Sequence, residues 1–159
     1  MCGGSAAGKC AVVAYRIANR LWKIGSKASA RIITQASRRL TGAEIHPGAD
    51  VAKSVCIVHA YGVVIGETAV IGDRVIIYEE VTLGGTQLKC GKRHPTIEDR
   101  VTIGPGAKIL GNITIGADSI IEANAVLTKS VRNNSVIAGV PGIPRDRREQ
   151  CRSRIASEY

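Results

Sequence analysis

Residues 96–127 read "TIEDRVTIGPGAKILGNITIGADSIIEANAVL". Within this stretch Ile97, Ile103, Ile109, Ile115, Ile121 and Leu127 stand six residues apart throughout. The same interval joins Ile65, Ile71, Ile77 and Leu83, and before them Ile45, Val51, Ile57 and Val63. Glycine follows the apolar residue at Gly66, Gly72, Gly104 and Gly116, and a small or branched residue comes four places after it at Ala69, Val75, Val81, Val101 and Ala107. A helix of period 3.6 cannot hold one face at a spacing of six. A flat strand cannot run for dozens of residues with turn residues in every unit. Short strands joined by tight corners can, and the spacing predicts an all-β solenoid wound as a parallel β-helix.

Outside the repeat the pattern changes. Val13, Ile17, Leu21 and Ile24 fall at helical intervals, as do Ile32, Ile33, Ala36 and Leu40, with Gly25-Ser26 between the two runs. Two short helices are expected ahead of the solenoid. After Ala138 the pattern stops at "GVPGIPRDRREQCRSRI", read as a turn and a basic tail. The organisation expected is a helical segment over 1–42, a catalytic β-helix over 43–144 and a tail over 145–159. The Arg-rich run from Arg145 to Arg154 reads as a solvated helix or as a contact for coenzyme phosphate.

The totals agree with one domain. The 159 residues are 45% hydrophobic but only 3% aromatic, with no Phe and 18 Gly, so the core must be Ile, Val, Leu and Ala. The net charge of +9 fits an anionic ligand or simply a solvated basic surface. Scarce aromatics speak against a platform for single-stranded nucleic acid. No apolar run is long enough to span a bilayer, so no membrane partner is expected. Five cysteines, at 2, 10, 56, 90 and 151, form no C-x-x-C pair, which reads as a reduced, cytoplasmic protein. Residues 1–43 hold eight Lys or Arg and no acid, which is also how an organellar transit peptide reads. "GGSAAGKC" almost fits a P-loop, but Cys10 stands where a hydroxyl is needed and no strand precedes it. It is read as a flexible terminus.

The repeat slips twice. Ile57 to Ile65 is eight residues, and Leu83 to Ile97 is fourteen. The first slip carries His59, Tyr61 and Gly62; the second carries "GGTQLKCGKRHP" with Arg93 and His94. Insertions in repeat proteins become loops, and loops carry function. Counted from Ile45, the slips follow the third and seventh hexads. With three hexads per coil they fall on different corners of the prism. Histidines on different edges of one chain meet most easily across a subunit boundary, so an oligomer with interfacial sites is expected.

The stretches "RRLTGAEIHPGA", "VVIGETAVIG", "VTLGGT", "GKRHPTI", "IGPGAKILGNITIG" and "AGVPGIP", over about residues 38–144, resemble the serine O-acetyltransferases of the hexapeptide-repeat acyltransferases. The resemblance implies a left-handed parallel β-helix, a homotrimer, acetyl-CoA as co-substrate, no metal, and O-acetylserine as product in cysteine biosynthesis. The larger N-terminal helical domain of long members is missing from this sequence. By the same resemblance His59 is the general base and Glu44 the acid that orients it. A hydroxyl is a poor nucleophile until a base takes its proton, and imidazole titrates near neutrality. Arg93 and His94 correspond to the pair that binds the acceptor and its carboxylate, which suits a guanidinium fork. Gly84, Gly85, Thr86, Gly106, Ala107 and Lys108 correspond to the coenzyme groove. Backbone N–H groups near the "GGT" turn are candidates for oxyanion stabilisation.

Two departures bear on specificity. The family usually has Asp directly before the catalytic His, contacting the acceptor's amino group; here Val58 stands there and cannot pair an ammonium. That opens a sugar or another small alcohol or amine as an alternative acceptor. Many members also end in Ile, which docks into the next enzyme of cysteine synthesis, whereas this sequence ends "RIASEY", which speaks against a cysteine synthase complex. An inactive trimeric scaffold is the reading of another class, and the joint presence of Glu44, His59, Arg93 and His94 argues against it. His46, beside Pro47, reads as a turn residue. The three histidines lie 13 and 35 residues apart, unlike the close pair of a hexapeptide zinc site.

Overall fold

The structure, a computed structural model, describes residues 4–87 and 91–145. Two helices lead, α1 (Ala6–Lys23) and α2 (Lys27–Thr41). The strands are β1 (Glu44–Ile45), β2 (Asp50–Val51), β3 (Cys56–Ile57), β4 (Val64–Ile65), β5 (Val70–Ile71), β6 (Ile76–Ile77), β7 (Thr82–Gly84), β8 (Thr96–Ile97), β9 (Thr102–Ile103), β10 (Lys108–Leu110), β11 (Thr114–Ile115), β12 (Ile120–Ile121), β13 (Val126–Leu127), β14 (Val136–Ala138) and β15 (Ile143–Arg145).

Every third strand stacks on the same face. The faces run β1-β4-β7-β10-β13, β2-β5-β8-β11 and β3-β6-β9-β12-β14, all in parallel, and β15 adds antiparallel to β14. This is the expected left-handed parallel β-helix. The sixth-residue side chains Ile65, Ile71, Ile77, Leu83, Ile97, Ile103, Ile109, Ile115 and Ile121 all point inward and are almost wholly buried. At roughly 1.5–3 kcal/mol for each fully buried aliphatic side chain, this stack supplies most of the drive to coil.

The corners repeat as strictly as the core. Three residues after an inward side chain the backbone turns left-handed, at Arg74, Glu80, Arg100, Asp118, Asn124 and Asn134, with φ of 57–58°. A left-handed residue with a side chain costs about 1–2 kcal/mol. The chain accepts that cost because the ladder bonds on either side fix the corner.

The first slip follows β3 and the second follows β7, so they do lie on different corners. A third irregularity was missed: Val131 follows Leu127 by four residues and bridges Ile115. The basic tail lies outside the described residues beyond Arg145.

The first coil has carbonyls with no earlier coil to bond, and α1 satisfies several of them. Tyr15 Oη donates to the Ala49 carbonyl at 2.6 Å, and Arg16 donates to those of Val51 and Ala52 at 2.5 and 2.6 Å. Asn19 Nδ2 donates to the Pro47 carbonyl at 2.8 Å. An uncovered strand edge is a site for unwanted pairing, and this helix closes it. The helix can come so close because its inner face is small: Gly8, Ala11 and Ala18 are buried beside Tyr15. The apolar stripe that announced the helices faces outward instead, with Val13, Ile17, Ile32 and Leu40 exposed.

The reading of residues 3–10 as a flexible terminus is corrected for the described part. Ser5 caps α1 by accepting from the Gly8 N–H at 3.1 Å, and Gly8 sits against the Ile57 carbonyl. A fully reduced set of cysteines is corrected too: Cys56 is disulfide-bonded, because spacing in sequence does not report which thiols folding brings together. Cys10 is a free, exposed thiol. Among the described residues no helix is long and apolar enough to cross a membrane.

A Cβ at Gly8 would lie 2.1 Å from the Ile57 carbonyl oxygen. Gly8→Ala should therefore cost about 1–3 kcal/mol despite the better helix propensity of Ala. Thermal denaturation followed by circular dichroism checks this: Tm should fall by several degrees. An unchanged or higher Tm would show that α1 does not dock so closely.

Candidate active site

The corner between β3 and β4 contains the two extra residues. Val58 is tied at both ends, its N–H donating to the Ile77 carbonyl and its carbonyl accepting from the Ser5 N–H, each at 2.9 Å. Ala60 folds inward and is buried, and Val63 N–H closes the turn onto the Ala60 carbonyl at 3.2 Å. Gly62, at φ 69°, returns the chain to the β4 face. His59 is thereby pushed out of the wall. Its side chain is exposed and has no hydrogen-bond or ion-pair partner among the described residues.

Glu44 lies on β1 and is not joined to His59. Its carboxylate accepts from Arg38 Nη1 of α2 at 2.8 Å. That pair is partly exposed and holds the helical segment to the first coil by at most about 1 kcal/mol.

The corner between β7 and β8 is organised differently. The returning arm of the loop is fixed on the coil beneath by Thr68. Thr68 Oγ1 accepts from the N–H groups of Arg93 and His94 at 3.0 and 3.1 Å and lies 2.9 Å from His94 Nδ1. With two N–H groups already donating to it, the hydroxyl has its own hydrogen to give to Nδ1. Nδ1 also accepts from the Thr68 N–H at 3.2 Å. His94 is thus held with its proton on Nε2, as a neutral donor. Burial, and secondly the Arg93 cation, pushes its pKa below the usual imidazole value. Gly66 makes room for the ring: a Cβ there would lie 2.0 Å from His94 Cδ2.

Arg93 is fixed by Glu67. Arg93 Nη2 donates to Glu67 Oε2 at 2.6 Å, and this bond holds the Glu67 carboxyl below the usual range. Lys92 Nζ donates to the Thr68 carbonyl at 2.6 Å, and burial lowers its pKa. Leu88, Lys89 and Cys90, also quoted from this loop, lie outside the described residues. Glu67, Thr68 and Lys92 escaped the sequence reading. Glu67 and Thr68 stand in "GETAV" at a corner exactly one coil below the insertion, and that register was available from the spacing.

His46 behaves as a turn residue. Its Nδ1 accepts from the Gly48 N–H at 3.0 Å, and its ring meets the Trp22 edge with centroids 5.0 Å apart. Burial lowers its pKa. Among the described residues no cluster of His, Cys, Asp or Glu could hold a metal ion.

The six coenzyme candidates do not form one patch. Gly84, Gly85 and Thr86 sit where β7 leaves its face, while Gly106, Ala107 and Lys108 lead into β10 from the opposite end of that face. Ala107 points into the core and is fully buried; its N–H donates to the Gly104 carbonyl and its carbonyl accepts from Thr82. Its side chain therefore packs in the core rather than facing outward. Lys108 Nζ donates to the Glu80 carbonyl.

The family model for bacterial transferase hexapeptide (six repeats) matches residues 94–129. A serine acetyltransferase of Mycobacterium tuberculosis is 55% identical over 132 residues, 83% of this chain and 58% of that protein. The chain thus spans less than two thirds of the length of this curated relative. The Neisseria gonorrhoeae serine acetyltransferase, solved in complex with serine, superposes with a TM-score of 0.85 at 40% identity, over 87% of this chain and 57% of that one. The serine acetyltransferase of Brucella abortus strain S19, solved in complex with coenzyme A, gives 0.85 at 44% identity, over 87% and 55%. Hexad core, two corner insertions and these matches converge: the chain carries the transferase hexapeptide repeat and is similar to the serine acetyltransferases.

Proposed function

We propose that this chain transfers the acetyl group of acetyl-CoA to the hydroxyl of L-serine, in the cytoplasm, at sites formed between the chains of a homotrimer. The observation that carries the reading is the contrast between the corners. One presents an unengaged imidazole, His59; the other holds Arg93 and a neutral His94 in fixed positions. The relatives solved with serine and with coenzyme A support the same pair of substrates.

In this reaction His59 takes the hydroxyl proton as the oxygen attacks the thioester carbonyl. The tetrahedral oxyanion is met by backbone N–H groups of the Gly85–Thr86 turn. Its collapse breaks the C–S bond, and His59 returns the proton to the departing sulfur. Preorganised donors at a developing oxyanion are worth about 3–4 kcal/mol each. Arg93 receives the acceptor carboxylate. Glu67 holds the guanidinium ready, so little of its freedom is lost on binding. His94 offers its Nε2–H to the acceptor. Because burial keeps its pKa low, it remains a neutral donor near neutral pH.

Val58 favours a second reading for the acceptor alone, a sugar or another small alcohol, since it offers no charge to an ammonium. The β-helix over 43–144 would be the catalytic unit in either case.

Two measurements test these readings. In a coenzyme-release assay with serine, His59→Ala should lower kcat by about two or more orders of magnitude, with acetyl-CoA binding nearly unchanged. Turnover within a few-fold of the parent would remove His59 from the mechanism. If serine is the acceptor, Val58→Asp should lower its KM by roughly ten- to a hundred-fold, the value of a hydrogen bond to a charged group. If another alcohol is the acceptor, the added carboxylate should harm that alcohol's turnover instead, and kcat/KM across serine and sugar alcohols separates the two.

A further inference from the structure

The apolar stripes of α1 and α2 are not used by the fold. The solenoid takes the small inner face of α1, and α2 buries Ala30 and Thr34. On the outside Val13 is 59% exposed, Ile17 50%, Ile24 77%, Ile32 70% and Leu40 85%. On α1 the set Val13, Ile17, Ile24 recurs at four and seven residues, and on α2 the set Ile32, Ala36, Leu40 recurs at four, so each forms one stripe. Val13, Ala14 and Ile17 share a groove with Ile33 of α2, which joins the two stripes into one surface. Single exposed aliphatics are ordinary, but a contiguous apolar surface on two adjacent helices marks a docking face.

The charges beside it have one sign. Residues 1–43 hold eight Lys or Arg and no Asp or Glu. Arg16 donates to the Val51 and Ala52 carbonyls, and Arg38 pairs with Glu44. Lys9, Arg20, Lys23, Lys27, Arg31 and Arg39 make no ion pair among the described residues. Lys9, Arg20 and Lys23 fall on one flank of α1, eleven and three residues apart, and Lys27 and Arg31 on one flank of α2, four apart.

This charge pattern decides between occupants. A second copy would set cations against cations with no acid to separate them. An acidic protein would have to match charges spread along an 18-residue helix, about 27 Å. A fluid bilayer with anionic headgroups matches them by lateral movement of its lipids. The apolar stripe then sinks below the headgroups, and the long Lys and Arg side chains reach back to them. Crossing a bilayer takes about 20 apolar residues in a row, which no described helix has; lying on one takes only an apolar stripe with cations beside it.

We infer that the outward face of the α1–α2 pair docks on an anionic bilayer surface, lying in its plane without crossing it. The cations draw the chain to the surface, and Val13, Ile17, Ile24, Ile32 and Leu40 hold it there.

The test is co-sedimentation of the full chain with vesicles of phosphatidylcholine alone, and of phosphatidylcholine with one third phosphatidylglycerol, at low and at high salt. The parent chain should bind the anionic vesicles at low salt, leave the neutral ones in solution, and lose about tenfold or more in affinity at high salt. Val13→Ser/Ile17→Ser should weaken binding to the anionic vesicles roughly tenfold or more. Arg20→Gln/Lys23→Gln should weaken it roughly fivefold for each charge removed. Both variants should keep parental coenzyme release with serine, since neither touches the two corners. A parent chain that stays in the supernatant with both vesicle types overturns the inference and leaves an acidic protein as the occupant. Equal binding to neutral and anionic vesicles overturns it too, as does an apolar variant that binds like the parent. If the Val13→Ser/Ile17→Ser change instead lowers the assembled mass in analytical ultracentrifugation, the face is a contact between chains and the bilayer is excluded. Should either variant not fold, the parent chain decides alone, through the lipid and salt arms.

Discussion

One inward branched side chain every sixth residue is the constraint from which the rest follows. It fixes three short faces per coil, and the ladder bonds then lock each coil to the next. Once that stack is set, a corner cannot be lengthened without expelling residues from the wall. Two residues expelled after β3 give an exposed imidazole. Eight added residues after β7 give an arm that must fold back onto the coil beneath, where Thr68 receives it. Fold and site are thus two consequences of one spacing, kept in some places and broken in others.

The two corners hold their side chains differently. His94 is nearly enclosed and bonded through Nδ1, so its tautomer and charge are settled before any substrate arrives. Arg93 is likewise held in place by Glu67. His59 is exposed, with no side-chain hydrogen bond among the described residues. A rigid, neutral donor beside a fixed cation suits binding; an unengaged imidazole suits proton transfer. This division also explains the glycine at position 66, where any side chain would displace the His94 ring.

How much of this could be read from the sequence depended on whether the governing pattern was periodic. The hexads, the two helices, both slips and the turn at His46 were legible, because each shows as a regular interval or a break in one. The buried face of α1 was not. It is built of Gly8, Ala11 and Ala18, which carry little hydropathic signal, while the conspicuous Val13 and Ile17 face outward. The inward direction of Ala107 before β10 was not legible either, because sequence likeness marks positions, not directions. Thr68 and Glu67 were hidden because their importance comes from a loop some 25 residues later folding back on them. The disulfide at Cys56 and the engagement of Glu44 by Arg38 likewise arise only from three-dimensional proximity.

The central claim is that the two broken corners of neighbouring chains make one site. Mixing inactive His59→Ala chains with inactive His94→Ala chains, under conditions in which mass spectrometry shows subunit exchange, tests it most directly. In a ring with head-to-tail interfaces at equal proportions, half the chains supply an intact His59 and half an intact His94, so about a quarter of the sites should be whole. The account predicts that acetyl transfer to serine rises to roughly that fraction of the parent rate. Mixed assemblies no more active than the separate variants would contradict it.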